Sequence, residues 1–327
     1  MNGAESLVRT LLAGDVDVCF TNPGTSEMHF CAALDKINGM RCILCLFEGV
    51  VTGAADGYGR MSDKPAGTLL HLGPGLGNGL SNLHNAKKAR TPIVNIVGEH
   101  ATYHIAYDAP LTADVEGIAR PVSDWVRTSV DSKSVASDAA EAIAAARTFP
   151  GAISTLILPA DTAWTDGAGV AEVPVQAGPG AVGEAAVENC AAALCTGEPA
   201  MLLLGGRALR APTLEIAGRI AAHSNAAIRS ELMSARTERG AGRVTVERIP
   251  YVVDQALKDL DGIRHLILVG AKAPVAFFAY PDKPSLLIPQ DCEVHVLATA
   301  EEDIADGLQR LCDSVGAQST LPNLELA

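Results

Sequence analysis

Positive charge is scarce in this 327-residue chain: 25 Lys and Arg stand against 38 Asp and Glu, a formal net of −13. Nucleic acid or an anionic membrane surface as main partner needs a concentrated positive field, so neither is expected. Aromatic residues are also few, at 4%. No run of 18 apolar residues marks a membrane-spanning helix. The opening residues, MNGAESLVRTLLAGD, lack a basic region and a small-residue cleavage site, so a cytoplasmic location is expected. Eight cysteines do not make a disulfide framework in a chain of this length. Cys42 and Cys45 form a C-x-x-C, but RCILCLF reads as a strand, where positions i and i+3 point to opposite faces. With no second pair to complete a zinc site, they read as small buried hydrophobes.

Apolar residues make up 48% of the chain and charged residues 19%, an ordinary globular balance sufficient for two cored domains. Strand-like and helix-like patterns alternate throughout. The fold class this implies is α/β, with two doubly wound parallel-sheet, Rossmann-like domains. Strands are expected at 16–20, 42–47, 66–72, 92–98 and 151–159, with a helix at about 78–89 following the glycine-rich loop GPGLGNG. Residues 165–185 are rich in Gly, Pro and Ala without a clear period. The expected organisation is a first domain over 1–165, a linker over 166–185 and a second domain over 186–327. In the second domain, strands are expected at 199–206, 225–231, 264–270, 284–289 and 293–298.

Ligands of open α/β sheets bind outside the carboxyl ends of the strands. Three such ends carry chemistry: TNPGTSE after the first strand, FEGV after the second and HLGPGLGNG after the third. The third fails as a dinucleotide fingerprint, because Asn78 stands where the last glycine should be. His71 in front of it reads either as a core histidine or as a group facing a ligand. Glu48 ends an apolar run and opens a helix. Burial raises the pKa of such an acid and a helix N-terminus lowers it. On spacing alone, Glu48 is equally a first-turn helix acid and an acid that shares a proton with a ligand nitrogen. Gly49, Gly53 and Gly57 line one helix face at i, i+4, i+8, and each costs about 1 kcal/mol of helix propensity relative to Ala. A close neighbour, either another helix or a second subunit, is expected on that face.

Taken in order, FTNPGTSEMHF, FEGVVTGAADGYGRMSDKPAG, LHLGPGLGNGLSNLHNAKKARTPIVNIVGEH and GAISTLILPADTAW resemble the thiamine-diphosphate-dependent 2-oxo-acid decarboxylase and acetolactate synthase superfamily. The likeness is to its N-terminal pyrimidine-binding domain over about 1–165, and to its central domain over 186–327. The resemblance implies thiamine diphosphate as cofactor and a 2-oxo acid as substrate. Glu48 becomes the acid that hydrogen-bonds a ring nitrogen of the aminopyrimidine, and His71 a proton-transfer group, with Thr25 at a hydroxyl position beside it. Pro23, Gly24, Thr25, Gly75 and Asn78 join Glu48 as cofactor-binding positions. A homodimer or homotetramer is implied, since the family's site lies between subunits.

Two activities stay open, acetolactate synthase-like carboligation and benzoylformate decarboxylase-like decarboxylation. Gly49 replaces the Gln usual in synthases, and APVAFFAYPDKP lacks the decarboxylase's second histidine. The family's Gly-Asp-Gly and Asn-Asn signature for Mg²⁺ is not found, so Mg²⁺ is expected through a domain outside this sequence. The chain is expected to correspond to the first two domains of a longer enzyme and to be inactive alone. Other readings are a non-catalytic binding or dimerisation module, or a nucleotide- or flavin-binding protein with FAD on the second domain.

Overall fold

The computed structural model describes residues 1–325. It divides into two compact units, Met1–Gly178 and Pro179–Ala327. The first opens with α1 (Gly3–Ala13), whose free N-terminal amides are met by Asn2: its side chain accepts the Glu5 N–H at 2.9 Å. Then follow β1 (Val18–Asn22), α2 (Met28–Lys36), β2 (Arg41–Leu44), α3 (Glu48–Ser62), β3 (Ala66–Leu70), α4 (Leu72–Ala89), β4 (Ile93–Glu99), α5 (Val115–Ala119), β5 (Trp125–Thr128), α6 (Val135–Ala146), β6 (Ile153–Pro159) and α7 (Ala160–Trp164). All six strands run parallel, in the order β2-β1-β3-β4-β6-β5. Strands β3, β4 and β6 are buried end to end, which accounts for their unbroken apolar runs. One face packs Leu7, Leu11, Phe30 and Ile143 from α1, α2 and α6, and the other packs Val51, Leu76 and Leu83 from α3 and α4. Each such Leu or Ile contributes about 1.5–3 kcal/mol by leaving water.

The strand order reverses between β1 and β3. From β1 the chain steps outward to β2, then crosses back over β1 to β3 and on to β4. The loops leaving β1 and β3 therefore diverge, opening a crevice at their carboxyl ends.

The second unit holds α8 (Glu184–Cys195), β7 (Ala200–Leu204), α9 (Ala211–Ser224), β8 (Ala227–Ser230), β9 (Glu247–Arg248), α10 (Val253–Leu260), β10 (His265–Val269), β11 (Glu293–Ala298) and α11 (Ile304–Ser314). Its parallel sheet runs β11-β10-β7-β8-β9. Cores form on both faces, one with α8, α9 and α11 and the other with α10. No helix among the described residues is long and apolar enough to cross a membrane.

Two strand expectations are corrected. The run 42–47 is not a buried strand: β2 ends at Leu44 and lies at the sheet edge, with Leu44, Leu46 and Phe47 exposed. Residues 284–289 form no strand. Prolines bound the run and cannot donate to a ladder, and only an isolated bridge, Val275 to Leu286, remains. The segment expected as linker is partly committed to each unit. Gly167 N–H bonds the Met1 carbonyl and Ala171 N–H bonds Thr10 Oγ1, while Val182 is buried in the second core.

Candidate functional site

The crevice is built on three strand ends. After β1, Pro23 and Gly24 lead into a single tight turn, Thr25–Glu27. After β3, His71 immediately precedes α4, which starts at Leu72 rather than near residue 78, so Gly73, Pro74, Gly75 and Gly77 lie in its first turns. Leu72 is fully buried with φ at +52°, a conformation costly for a bulky side chain. Both His71 and Leu72 line the cleft that opens at this turn.

His71 is oriented by a residue that sequence reasoning missed, Glu27. Its carboxylate is almost wholly buried. Oε2 accepts the Gly24 N–H at 2.7 Å and lies 2.8 Å from His71 Nδ1, and Oε1 accepts the Ser26 hydroxyl at 2.7 Å. Ser26 Oγ itself stands 3.3 Å from His71 Nδ1. Glycines clear the space for this cluster. A Cβ on Gly24 would sit 2.3 Å from the His71 ring, and one on Gly98 only 1.6 Å from Glu27 Oε1. The spacing of Gly24 and Glu27 is that of a capping box, and that signal explains only the backbone half of the role of Glu27.

Glu48 is the first residue of α3 and is buried. Asn78 Nδ2 donates to its Oε2 at 3.0 Å. Oε1 faces Gly75, where a Cβ would lie 3.2 Å from that oxygen and 3.4 Å from the Cβ of His71. Gly75 is therefore the hinge between two groups: Glu48 with Asn78, and His71 with Glu27 and Ser26. Pro23 lies in the loop between β1 and the Thr25–Glu27 turn. The outer group opens into a cleft of about 280 Å³ lined by Thr25, Ser26, His71, His100, Tyr103, His104 and Trp164 among others. Glu48, Gly75 and Asn78 are not in that lining. His100 and His104, from the loop after β4, went unnoticed in the sequence. Their ring centroids lie 5.5 Å apart with the planes tilted at 58°, and His100 Nε2 is buried without a hydrogen-bond partner. Next to them, burial pushes the Glu99 carboxyl up, against the lowering pull of the His100 N–H it accepts at 2.7 Å.

The close neighbour of the glycine face proves to be α4 for one position. A Cβ on Gly53 would sit 2.9 Å from Asn82 Nδ2, which donates to the Gly49 carbonyl at 2.6 Å, while Gly57 meets nothing within 4 Å. A second close α3–α4 approach comes from a glycine outside the predicted set. Gly79 accepts the Thr52 hydroxyl on its carbonyl at 3.0 Å, and its own Cβ would lie 2.8 Å from Thr52 Cγ2.

Residues 1–118 match the family of the thiamine pyrophosphate enzyme, N-terminal TPP binding domain. Over 323 residues the chain is 54% identical to IlvX of Mycobacterium tuberculosis, a protein named as a candidate acetolactate synthase large subunit. The match covers 98% of this chain and 62% of IlvX. Over 143 residues it is 34% identical to benzoylformate decarboxylase of Pseudomonas aeruginosa, covering 43% of this chain and 27% of that one. In fold it resembles a candidate thiamin diphosphate-dependent enzyme from Mycobacterium smegmatis, with a TM-score of 0.85 at 19% identity, covering 99% of this chain and 66% of that one. The chain thus spans less than two thirds of the relatives it matches from end to end. Over residues 1–118 its first unit carries the N-terminal TPP-binding domain of the thiamine pyrophosphate enzymes.

Proposed function

We propose that the first unit holds the aminopyrimidine ring of thiamine diphosphate on Glu48 and works on a 2-oxo acid with His71. The observation that carries this reading is the state of Glu48. It is a buried acid at the start of a helix, steadied by Asn78 through one oxygen, with the other turned toward a glycine where a side chain would crowd it. A carboxyl group in that setting can share a proton with a ring nitrogen, so the residues present fit the group. When bound, thiamine diphosphate supplies a nucleophilic carbon and an electron sink for decarboxylation of the acid.

The chain's own residues do the rest. Glu48 holds a proton against the ring nitrogen, and Gly75 leaves the ring room to approach. His71, held at Nδ1 by Glu27, turns its other nitrogen toward the cleft, where it can deliver or remove a proton. The diphosphate and Mg²⁺ are assigned to no side chain of this chain. Both carboligation and simple decarboxylation suit this geometry.

The test is release of carbon dioxide from pyruvate and from benzoylformate by the assembled enzyme that contains this chain, with thiamine diphosphate and Mg²⁺. Glu48→Gln is expected to lower turnover by about 100-fold or more, with circular dichroism unchanged. Undiminished turnover would remove Glu48 from the mechanism.

We infer further that the chain works as an oligomer. Leu44, Leu46, Phe47 and Val50 are all exposed on the stretch that carries Glu48, with Leu46 92% open to solvent. Apolar residues gathered beside a site in this way suit a covering subunit. Light scattering is expected to report at least a dimer, and Leu46→Asp to shift it toward monomer.

A further inference from the structure

The second unit holds a cluster that neither the thiamine reading nor the sequence motifs use. Strands β10 and β11 are parallel neighbours, with His265 opposite Glu293 and Ile267 opposite His295. Glu293 and His295 are two apart on β11, so they point to the same face as His265. His265 Nδ1 lies 3.2 Å from His295 Nε2, and Glu293 Oε2 stands 3.9 Å from the first and 3.8 Å from the second. We propose that His265, Glu293 and His295 form a binding site for a first-row divalent transition metal of the Zn²⁺ type.

The geometry supports this on two independent counts. A point about 2.1 Å from all three atoms satisfies the three separations, within the roughly 2.0–2.2 Å of zinc bonds to imidazole and carboxylate. The far side of the buried ligand is also prepared. His265 is only 6% exposed, and its Nε2 lies 3.1 Å from Glu198 Oε2. A carboxylate on the second ring nitrogen fixes the tautomer that leaves Nδ1 free to bind a metal. Glu293 and Glu198 are largely exposed and bring negative charge. Two imidazoles and a carboxylate select transition metals over Ca²⁺ or Mg²⁺, which prefer all-oxygen ligands. A bound ion would pin the starts of β10 and β11 together at the sheet edge.

The experiment is titration of the full, chelator-treated chain with ZnCl₂ by calorimetry, and with CoCl₂ by visible absorption. Expected are one equivalent of Zn²⁺ and a Co²⁺ spectrum of low coordination number without the intense sulfur charge-transfer band. His295→Ala, at a partly exposed position that should leave folding intact, is expected to abolish the binding. Glu198→Gln is expected to weaken it about 10-fold or more. Four results would overturn the proposal: no binding by the parent chain, equal binding by His295→Ala, unaltered affinity in Glu198→Gln, or a thiolate band. The first would leave the imidazoles as a hydrogen-bonded pair, and the last would place the metal on the cysteines.

Discussion

The two units share a parallel sheet and a reversal of strand order, yet they use the reversal in opposite ways. In the first unit the loops after β1 and β3 are bridged by side chains, His71 and Glu27, and glycines make room for those side chains. In the second unit the reversal lies between β7 and β10, and there glycines let the backbones meet. A Cβ on Gly205 would lie 2.6 Å from the Gly270 carbonyl oxygen, and one on Gly270, at φ +64°, 2.8 Å from the Gly205 carbonyl oxygen. Topology therefore marks a place for a ligand in both units, and the residues at the strand ends decide whether the place is open or closed.

That contrast predicts unlike outcomes for one kind of substitution. Gly24→Ala keeps an extended backbone that any residue adopts, so its cost falls on the His71 ring that the new methyl displaces. Displacing a reacting group by about 1 Å can cost on the order of 100-fold in rate. Turnover is expected to collapse while the melting temperature changes little. Gly205→Ala meets main chain that cannot rotate away. It is expected to destabilise by about 1–3 kcal/mol in chemical denaturation. If Gly24→Ala mainly unfolds the protein, or Gly205→Ala is silent, the contrast fails.

Glu27 lies buried at the first crevice, where its carboxylate ties the two loops together. Glu27→Gln presents an amide N–H₂ where the carboxylate had accepted from Gly24, Ser26 and His71. At least one buried donor then loses its acceptor, at about 1–3 kcal/mol. The expected result is lower denaturant stability together with lower turnover, since His71 also loses its orientation. A variant with normal stability and rate would show that the carboxylate is dispensable.

How much of this could be read beforehand differs between the units for physical reasons. Alternating apolar runs fixed the wound sheets, and Glu48, Gly75 and Asn78 could be picked out because FEGV and GPGLGNG are local patterns. Glu27 could not, since its partners, His71 and Gly98, are 44 and 71 positions away and only the parallel register brings them near. CILCLF and PSLLIP misled for a related reason. Hydropathy does not reveal where a run lies in the sheet: the first is exposed at the sheet edge, and the second buries Leu287 without a ladder. The pair His265 and His295 was equally unreadable, because strand pairing alone makes them neighbours.

The smallest expected effect concerns Glu99, at the end of β4 beside the first crevice. Burial, opposed by its bond to the His100 N–H, raises its folded pKa above the unfolded value of about 4.3. A carboxyl shifted this way favours the folded state at low pH, when both states are protonated, and loses that contribution as pH rises through the folded value. Glu99→Gln keeps a carbonyl to accept the His100 N–H and removes the charge. The variant should therefore match the parent in thermal melts near pH 4 and melt slightly higher than it at neutral pH. A variant that melted lower at neutral pH than the parent would mean that the ionised carboxylate is needed in the fold, as the charged partner of the crevice histidines.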